Sequence, residues 1–385
     1  MKPMNFVRPC TLSPVDEVNW MRAAMKLLSF ITAFCGFIHA VQAADEAAPA
    51  YADILKIDAH SHVFEDIPAY NDLLRRINVR TVNICVVGAK QHLFLMHRIA
   101  LDLYRKHPDL YPFSATFDLL GRDQPGYTDK VIAHLDGMFQ KGALAVKIWK
   151  EIGMSLKRPD GTFLMPDDPL FDPIYSHLEE LGKPLHAHIA EPLEAWLPLD
   201  PNSVNYAYYA RRSEWHMYGK AGYPTHAELI AARDHILEKH PKLIVIAVHL
   251  GSLEHDLDAI AARFERFPNF YIDTGARTRN LVHHPSDKVR QLFLKHPDRI
   301  LYGVDLGFWL PNANDTPASD AHRSEQISKM ELQYKSDYDY YAGKGMMTYD
   351  GREVQALNLP RSVLEKFYHE NAEHVLKLKQ AWEQK

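Results

Sequence analysis

Eight short apolar runs alternate with longer amphipathic stretches along most of this 385-residue chain. The runs are rich in Val, Ile, Leu, Phe or Tyr and are bounded by Pro, Gly or Asp, which is typical of buried strands. Strands that alternate with helices predict an α/β fold with a parallel sheet, and eight is the number that closes a (β/α)8 TIM barrel. The eight runs are 54–59, 79–87, 110–117, 143–149, 183–189, 243–249, 269–274 and 299–305.

The stretches between the runs show helical periodicity. Between the sixth and seventh runs, apolar residues from Leu253 to Phe264 recur at the spacing of one helix face. Several other stretches end in His-Pro, and proline stops a helix just before the next strand. The further predicted helices are 89–107, 126–141, 169–181, 225–240 and 285–296.

Two stretches exceed what a barrel of about 250 residues needs. Residues 190–224 follow the fifth run and residues 306–359 follow the eighth. Both begin at carboxyl ends of strands, where barrel enzymes have their active sites, so we expect lids or pocket walls. We find no internal repeat and no interdomain linker, which predicts a single domain over 54–385.

The N-terminus is typical of an export signal. Arg22 and Lys26 precede the apolar run 27–38, and Val41 and Ala43 supply small residues for cleavage before residue 44. The apolar run is shorter than the roughly 20 residues of a membrane span, although an uncleaved anchor is the alternative. We therefore predict a signal peptide over 1–43, a flexible lead-in over 44–53, and a periplasmic or secreted protein with no membrane attachment after cleavage.

Met25 is itself a suitable start for such a signal, so residues 1–24 lie upstream of a second candidate start. Cleavage leaves Cys85 as the single cysteine, which excludes an intramolecular disulfide and a cysteine-based zinc site. The formal net charge is −5 with no basic stripe, which argues against nucleic-acid binding. The expected partner is a small-molecule substrate, and a homo-oligomer is compatible with the composition.

Histidines and an aspartate lie at the ends of four of the runs. His60 and His62 follow the first run at i, i+2, a spacing that points both side chains to one side of a strand. His188 ends the fifth run, and Asp305 ends the eighth. A barrel brings these ends to one mouth, so we interpret the four residues as ligands of one metal ion. The alternatives are chance histidine pairs and a turn or helix-capping aspartate.

Two more histidines belong to the same pattern. His249 ends the sixth run, and we interpret it as a catalytic residue rather than a hydrogen-bonded rim histidine. His186 lies one pleat deeper than His188, where hydrogen-bonding support is the favoured role, and whether it joins the site stays open.

Four further residues are candidates for catalysis or substrate binding. Lys147 lies inside the fourth apolar run, where a lysine is costly without a role. Three roles are open for this lysine. Its ammonium group stabilises charge on the substrate, it is carbamylated between two metal ions, or its side chain extends to solvent. Arg277, or its neighbour Arg279, is a candidate to hold a substrate carboxylate, against the alternative of a surface arginine. Glu191 and Trp196, at the start of the first insertion, are candidate substrate contacts, against support of the site and lid packing.

The order of these motifs resembles the amidohydrolase superfamily of metal-dependent hydrolases. The closer likeness is to the branch that includes amino-carboxymuconate-semialdehyde decarboxylase and related decarboxylases. The segment 299–305 and the closing helix 367–376, with its Asn-Ala pair, are similar to that branch. The resemblance covers residues 54–380. It implies a divalent metal, usually zinc, at His60, His62, His188 and Asp305, and a substrate-orienting role for His249.

Departures from the branch surround the expected substrate position. The sixth run is followed by His-Leu-Gly-Ser at 249–252, where the branch often has His-Gly-Gly. The eighth run continues Asp-Leu-Gly-Phe at 305–308 rather than Asp-Tyr-Pro, and the insertion after the fifth run is long. Because the departures surround the substrate position, they do not predict which substrate binds. The residues expected to bind the metal are retained.

The leading functional prediction is hydrolysis of a small amide, lactone or ester by zinc-activated water. In this scheme Asp305 accepts the water proton, while His249 and Lys147 stabilise charge on the carbonyl oxygen. The alternative is non-oxidative decarboxylation of an unsaturated or aromatic acid, which requires Arg277 or Arg279 to face the mouth. A non-catalytic exported binding protein is the third hypothesis.

Overall fold

Nine parallel strands form one sheet in the computed structural model, which describes residues 48–87, 93–310 and 319–378. The strand order is β8-β7-β6-β5-β4-β3-β2-β1-β9, so each of the first eight strands neighbours the next one in sequence. The strands are β1 Lys56–Val63, β2 Val79–Ile84, β3 Phe113–Thr116, β4 Val146–Ile148, β5 Leu185–Ala187, β6 Val245–Ala247, β7 Phe270–Asp273, β8 Ile300–Leu301 and β9 Leu306–Phe308. The predicted (β/α)8 barrel is confirmed.

The first and last strands meet and close the sheet. β9 pairs with β1 through Ser61, His62 and Val63. The Ala59 amide also donates to the Tyr302 carbonyl at 2.8 Å, just after β8. The closure brings the ends of the first and eighth strands side by side, which is what a site shared between them requires.

Six of the helices lie at the positions that the sequence predicted, with ends that differ by a few residues. Thr225 caps the start of one of them with a capping box. Its side chain accepts from the Glu228 amide, and the Glu228 side chain accepts from the Thr225 amide. The helices are α1 Pro68–Arg76, α2 Leu93–Lys106, α3 Tyr127–Gln140, α4 Glu151–Met154, α5 Asp172–Leu181, α6 Tyr206–Arg211, α7 His226–Lys239, α8 Leu257–Arg266, α9 Thr278–Leu281, α10 Ser286–Lys295, α11 Asp320–Ala342, α12 Arg361–Glu365 and α13 Asn371–Val375.

Two apolar layers hold the barrel together. The larger layer lies between the strands and the surrounding helices. The smaller layer includes Ile57, Val82 and Ile246, which pack with Val375 and Leu378 from the end of the chain. His60, His62, His188 and Asp305 lie at the carboxyl ends of the strands.

The two predicted insertions differ from expectation at one boundary. The segment 190–224 contains α6 and short turns, as its composition suggests. The segment 306–359 does not leave the barrel at once, because Leu306–Phe308 forms β9. Gly307 permits this pairing, since a Cβ there would lie 1.9 Å from the His62 carbonyl oxygen. The described residues 319–359 of this insertion include α11 and an antiparallel hairpin of β10 Met346–Tyr349 and β11 Arg352–Gln355.

The first strand is longer than the apolar run that predicted it. β1 extends from Lys56 to Val63, so His60 and His62 belong to the strand itself. The signal peptide predicted over 1–43 lies outside the described residues and stays a prediction. Among the described helices, none has the length and apolar character that crossing a membrane requires.

Candidate metal centre

Two histidines of β1 and an aspartate that follows β8 form a compact cluster. The His62 Nε2 atom lies 3.2 Å from Asp305 Oδ1, and the His60 Nε2 atom lies 3.6 Å from the same oxygen. Asp305 has a positive φ of 61°, and its amide donates to the His60 carbonyl at 2.7 Å. That hydrogen bond holds the carboxylate against the two imidazoles.

The hydrogen bonds on the far sides of the rings define which nitrogens are free. His60 Nδ1 lies 2.8 Å from Asp273 Oδ2, and His62 Nδ1 lies 2.8 Å from the Ile84 carbonyl oxygen. Both partners only accept, so Nδ1 is the donor in each ring and the Nε2 atom of each ring faces Asp305. Burial lowers the pKa of His62, which favours the neutral ring.

Three acceptors therefore face one another without a hydrogen-bond donor between them. The ligand atoms of His60, His62 and Asp305 all lie within 4.8 Å of one another. A divalent cation satisfies such a set, because imidazole nitrogens and carboxylate oxygens are common ligands of zinc and related ions. The hydrogen bond from His60 to the Asp273 carboxylate is the usual outer support of a metal-binding histidine.

His188 lies next to this cluster without belonging to the group of atoms within 4.8 Å. Its ring centroid is 4.4 Å from that of His249, and its Nε2 atom is buried with no hydrogen-bond partner in the part of the chain that the structure describes. Burial lowers the pKa of His188 well below its ordinary value, so the ring is neutral. The structure thus places a free imidazole beside the three clustered ligands.

His249 begins a turn of left-handed backbone. His249, Leu250 and Ser252 have φ values of 60°, 57° and 57°, and Gly251 has 63°. Such a conformation costs about 1–2 kcal/mol for each residue other than glycine. The turn is held by side chains: Ser252 Oγ donates to the Ile189 carbonyl at 2.9 Å, and Arg233 donates to the Gly251 carbonyl.

The turn positions the His249 ring against the cluster. Its centroid lies 4.6 Å from that of His60. His249 Nδ1 lies 2.8 Å from the Gly275 carbonyl oxygen, so this nitrogen is the donor and Nε2 keeps its lone pair. Burial and the neighbouring His60 lower the pKa of His249 well below its ordinary value. His249 is therefore a neutral imidazole with a free acceptor.

Asp273 connects two parts of the site, a role that its sequence context did not suggest. One of its oxygens accepts from His60, and the other accepts from the amides of His249 at 2.8 Å and Gly275 at 3.0 Å. Burial alone would raise the pKa of Asp273, but His60 and these hydrogen bonds hold it well below its ordinary value. The one available signal was its place at the end of the seventh predicted strand.

Lys147 is buried inside the barrel. Its Nζ atom has no hydrogen-bond partner in the described part of the chain. Burial lowers the pKa of Lys147 to about 8, while Asp273 and Asp305 oppose the shift. Its partner on β5 is His186, whose Nδ1 atom lies 2.9 Å from Ser114 Oγ. Lys147 therefore lies near the two carboxylates of the site without forming an ion pair.

The two arginines after β7 have different surroundings. Arg277 is 8% exposed and lines a cavity of about 460 Å³ together with Asp305. Its Nη1 atom donates to the neighbouring Ala276 carbonyl at 3.2 Å, its Nε atom has no partner, and no described carboxylate forms a salt bridge with it. Arg279 is half-exposed and lies 3.4 Å from Asp350. Arg277 is thus the arginine that is free to bind an anion next to Asp305.

Glu191 forms a buried ion pair with Lys150, a residue that the motif search missed. Lys150 also donates to Tyr208 OH at 2.8 Å and lies 4.4 Å from the centre of the Trp215 ring. Tyr209 donates to the other Glu191 oxygen at 3.5 Å. The structure therefore engages Glu191 in attaching the first insertion to the barrel.

The two tryptophans near the site also differ from expectation in their placement. Trp196 donates from Nε1 to the Pro224 carbonyl at 3.0 Å and packs edge-on against His226, within the first insertion. Trp309, which the motif search did not single out, stacks on His62 with ring centroids 4.1 Å apart. It follows β9, so its position depends on the strand pairing at Gly307.

Comparisons with known proteins place this arrangement in a family. A family model described as amidohydrolase matches residues 57–378. No curated protein matches the chain.

Several solved structures resemble the chain at low identity. A 2,6-dihydroxybenzoate decarboxylase from Rhizobium is 16% identical, with 85% of this chain and 99% of that chain covered and a TM-score of 0.49. A 5-carboxyvanillate decarboxylase from Novosphingobium aromaticivorans, complexed with manganese and 4-hydroxy-3-methoxy-5-nitrobenzoic acid, is 14% identical, with 86% and 98% covered and a TM-score of 0.45. A 4-oxalomesaconate hydratase from Rhodopseudomonas palustris is 13% identical, with 86% and 98% covered and a TM-score of 0.44. Because the family model spans most of the chain, this protein belongs to the amidohydrolase family.

Proposed function

We propose that this protein is a metal-dependent hydrolase that acts on a small amide, lactone or ester carrying a carboxylate group. The observation that carries the proposal is the set of acceptors at His60, His62 and Asp305, which face one another with no donor between them. We propose zinc as the ion, since two imidazoles and a carboxylate are typical zinc ligands, with His188 as the fourth. A bound divalent ion supplies Lewis acidity, which acidifies water and polarises a carbonyl group.

His249 is the proposed proton acceptor. Its Nε2 atom is unprotonated because Nδ1 donates to the Gly275 carbonyl, so it takes a proton from the attacking water and returns it to the leaving group. Asp305 is a weaker candidate, because its carboxylate is one of the proposed ligands of the ion, and a nearby positive charge keeps a carboxylate ionised. From the sequence we had inferred that Asp305 accepts the proton and that His249 stabilises charge on the carbonyl oxygen.

Two cationic side chains bind and stabilise the substrate in this proposal. Arg277 has no carboxylate partner among the described residues and lines the cavity next to Asp305, so it receives the carboxylate of the substrate. Lys147 lies near Asp273 and Asp305 with a free ammonium group, and it stabilises negative charge that develops on the carbonyl oxygen. Carbamylation of Lys147 around a second ion is the alternative state of this residue.

The test begins with metal analysis of the purified protein. Metal-free protein is reloaded with Zn2+ or Mn2+ and assayed on N-acyl amino acids and on lactones that carry a carboxylate. We expect metal-dependent turnover, with His249→Gln reducing kcat by roughly 100- to 10,000-fold while metal content is unchanged. Stoichiometric metal without hydrolysis of any compound in the panel would contradict the proposal.

A second candidate function is supported by one specific observation. Arg277 lines the cavity together with Asp305, which is the arrangement that a decarboxylase of small acids needs to orient a carboxylate. Release of CO2 from an aromatic or unsaturated acid, with solvent hydrogen replacing the carboxyl group, would favour this reaction. Incorporation of labelled oxygen from water into the product would favour hydrolysis.

We also propose that the protein is exported. The proposal rests on the basic residues, apolar run and small residues within 1–43. Expression of the full chain in a bacterial host should yield periplasmic protein that begins at Ala44. Cytoplasmic protein with an intact N-terminus would contradict export.

A further inference from the structure

The cavity beside Asp305 extends away from the metal centre. One side is formed by residues that follow β7 and β8, including Arg277 and Asp305. The other side is formed by α11, which contributes Lys329 and Ser336, and by Tyr349 of the β10–β11 hairpin. Its volume of about 460 Å³ falls within the range of pockets that hold drug-sized ligands. The second insertion therefore builds a wall that continues beyond the reacting centre.

This wall is attached rigidly to the barrel. Asp337 of α11 is fully buried and accepts hydrogen bonds from Tyr302, which follows β8, at 3.1 Å and from Tyr349 of the hairpin at 2.6 Å. Gln333 of the same helix donates to Asp337 at 2.9 Å. One carboxylate thus joins the barrel, the helix and the hairpin, so the wall is formed before any ligand binds.

Polar groups on the wall remain available to a ligand. The Ser336 hydroxyl forms no hydrogen bond with another described residue, and Ser336 lines the cavity. Among the described residues Lys329 pairs with Glu325 alone, at 2.7 Å on an exposed surface, where ion pairs contribute little. A ligand whose carboxylate lies at Arg277 would direct its other end along these groups.

We propose that the substrate is an extended carboxylic acid whose polar tail lies along α11. The proposal rests on the proposed function, in which Arg277 receives the carboxylate, and it adds a second subsite that selects for the tail. The substrate class is therefore a carboxylate that carries a polar chain rather than a single compact ring.

A second cavity marks the end of this subsite. It has a volume of about 320 Å³ and shares Arg279, Tyr349 and Asp350 with the first. The Arg279–Asp350 ion pair, at 3.4 Å and about half-exposed, therefore stands between the two cavities. Removing this pair would lengthen the space for the tail.

The experiment measures binding of three non-hydrolysable acids to the Mn2+-loaded protein by titration calorimetry. The acids are benzoate, 4-(2-hydroxyethoxy)benzoate and 4-[2-(2-hydroxyethoxy)ethoxy]benzoate. We expect affinity to rise at least tenfold from benzoate to the longest acid. Ser336→Trp fills the side of the cavity along α11 and should abolish this gain. Ser328→Trp, an exposed position on the same helix, is the matched control and should behave like the wild type.

Asp350→Ala provides a second variant, which should increase the gain for the longest acid. Equal affinity for all three acids in the wild type would overturn the subsite, and so would a gain that persists in Ser336→Trp. Those outcomes leave the proposed function intact, because benzoate still binds. If benzoate does not bind, or if Arg277→Ala binds it as well as the wild type does, carboxylate recognition itself is wrong.

Discussion

Two carboxylates in this protein, Asp337 in the core and the partly exposed Asp305 at the mouth of the barrel, have opposite surroundings. Asp337 accepts from Tyr302, Tyr349 and Gln333, so every partner of this carboxylate is a donor. Asp305 faces the Nε2 lone pairs of two histidines, whose donor nitrogens are engaged elsewhere. The hydrogen bonds to Asp337 pair its carboxylate within the protein. The cluster around Asp305 lacks a positive charge at its centre.

The comparison separates a structural polar cluster from a functional one. Buried polar groups are normally paired, because an unpaired one costs free energy. The Asp337 network meets that requirement and connects α11 to the barrel. The cluster of His60, His62 and Asp305 meets it only when a cation is bound, and so it identifies the site. Four predictions, in order of decreasing effect, test this distinction.

The largest effect is expected when a ligand of the cluster is removed. Asp305→Ala should lower affinity for Zn2+ by more than about 100-fold, which exceeds the roughly 10- to 100-fold cost of changes in outer-shell partners. Competition with a chromogenic chelator measures the affinity. Asp337→Ala is the matched control, because it also removes a carboxylate but should leave zinc affinity unchanged. Equal zinc affinity in wild type and Asp305→Ala would exclude this cluster as the metal site.

Asp273→Asn should have an intermediate effect on metal binding. The amide retains an oxygen, but it no longer gives His60 a charged acceptor at Nδ1, so zinc affinity should fall by roughly 10- to 100-fold. The same chelator competition measures this change. His186→Gln, which alters another buried histidine of the barrel, should change zinc affinity much less. If the two variants bind zinc equally, Asp273 does not support the metal.

The pH dependence of stability should distinguish Asp337 from the site carboxylates. Burial raises the pKa of Asp337 to about 6 from an ordinary value of 3.8, so the folded state holds this proton more tightly than the unfolded state. Its contribution to stability is therefore present below pH 4 and is lost as the pH rises through about 6. Compared with Asp337→Asn, the wild type should lose about 1–3 kcal/mol of unfolding free energy between pH 4 and pH 7.

Urea unfolding of both proteins across this range measures the difference in slope. The buried histidines, whose pKa values are lowered, act in the opposite sense but equally in both proteins. The pKa values of Asp273 and Asp305 are lowered, so their contribution to stability is complete above about pH 4 and changes with pH only below that value. Parallel pH profiles for wild type and Asp337→Asn would show that burial does not raise the pKa of the Asp337 carboxylate.

The smallest effect is expected for a carboxylate that is exposed. Asp350 pairs with Arg279 at 3.4 Å, but its side chain is 64% exposed and that of Arg279 is 49% exposed. Asp350→Asn should change the free energy of unfolding by less than about 1 kcal/mol. Thermal unfolding with and without added salt measures it. If Asp350→Asn lost as much free energy of unfolding as Asp337→Ala, burial would not explain why the carboxylates differ in their contribution to stability.

The barrel was predictable from the sequence because its signals are local. A strand has a side-chain period of two and a helix a period of 3.6, so the alternation of apolar runs and amphipathic stretches is visible without a structure. The boundaries were less predictable. β1 continues through His60 and His62, and β9 forms within the expected insertion because Gly307 allows the strands to approach.

The site was predictable in its positions more than in its contacts. The rule that active sites occupy carboxyl ends of barrel strands directed attention to His188, His249 and Asp305. It gave no means to see that Glu191 pairs with Lys150, because the two come from different strands and meet only in the folded chain.

The sequence by itself determined the α/β barrel and the set of strand-end residues that a metal can use, since both follow from short-range periodicity and from the parallel direction of the strands. The tertiary structure alone decided which imidazole nitrogens are free, through partners as distant in sequence as Asp273 is from His60. It also decided the shape of the cavity, because α11 reaches the barrel through the hydrogen bonds of Asp337. Contacts between residues so far apart depend on how the whole chain packs and leave no local pattern to read.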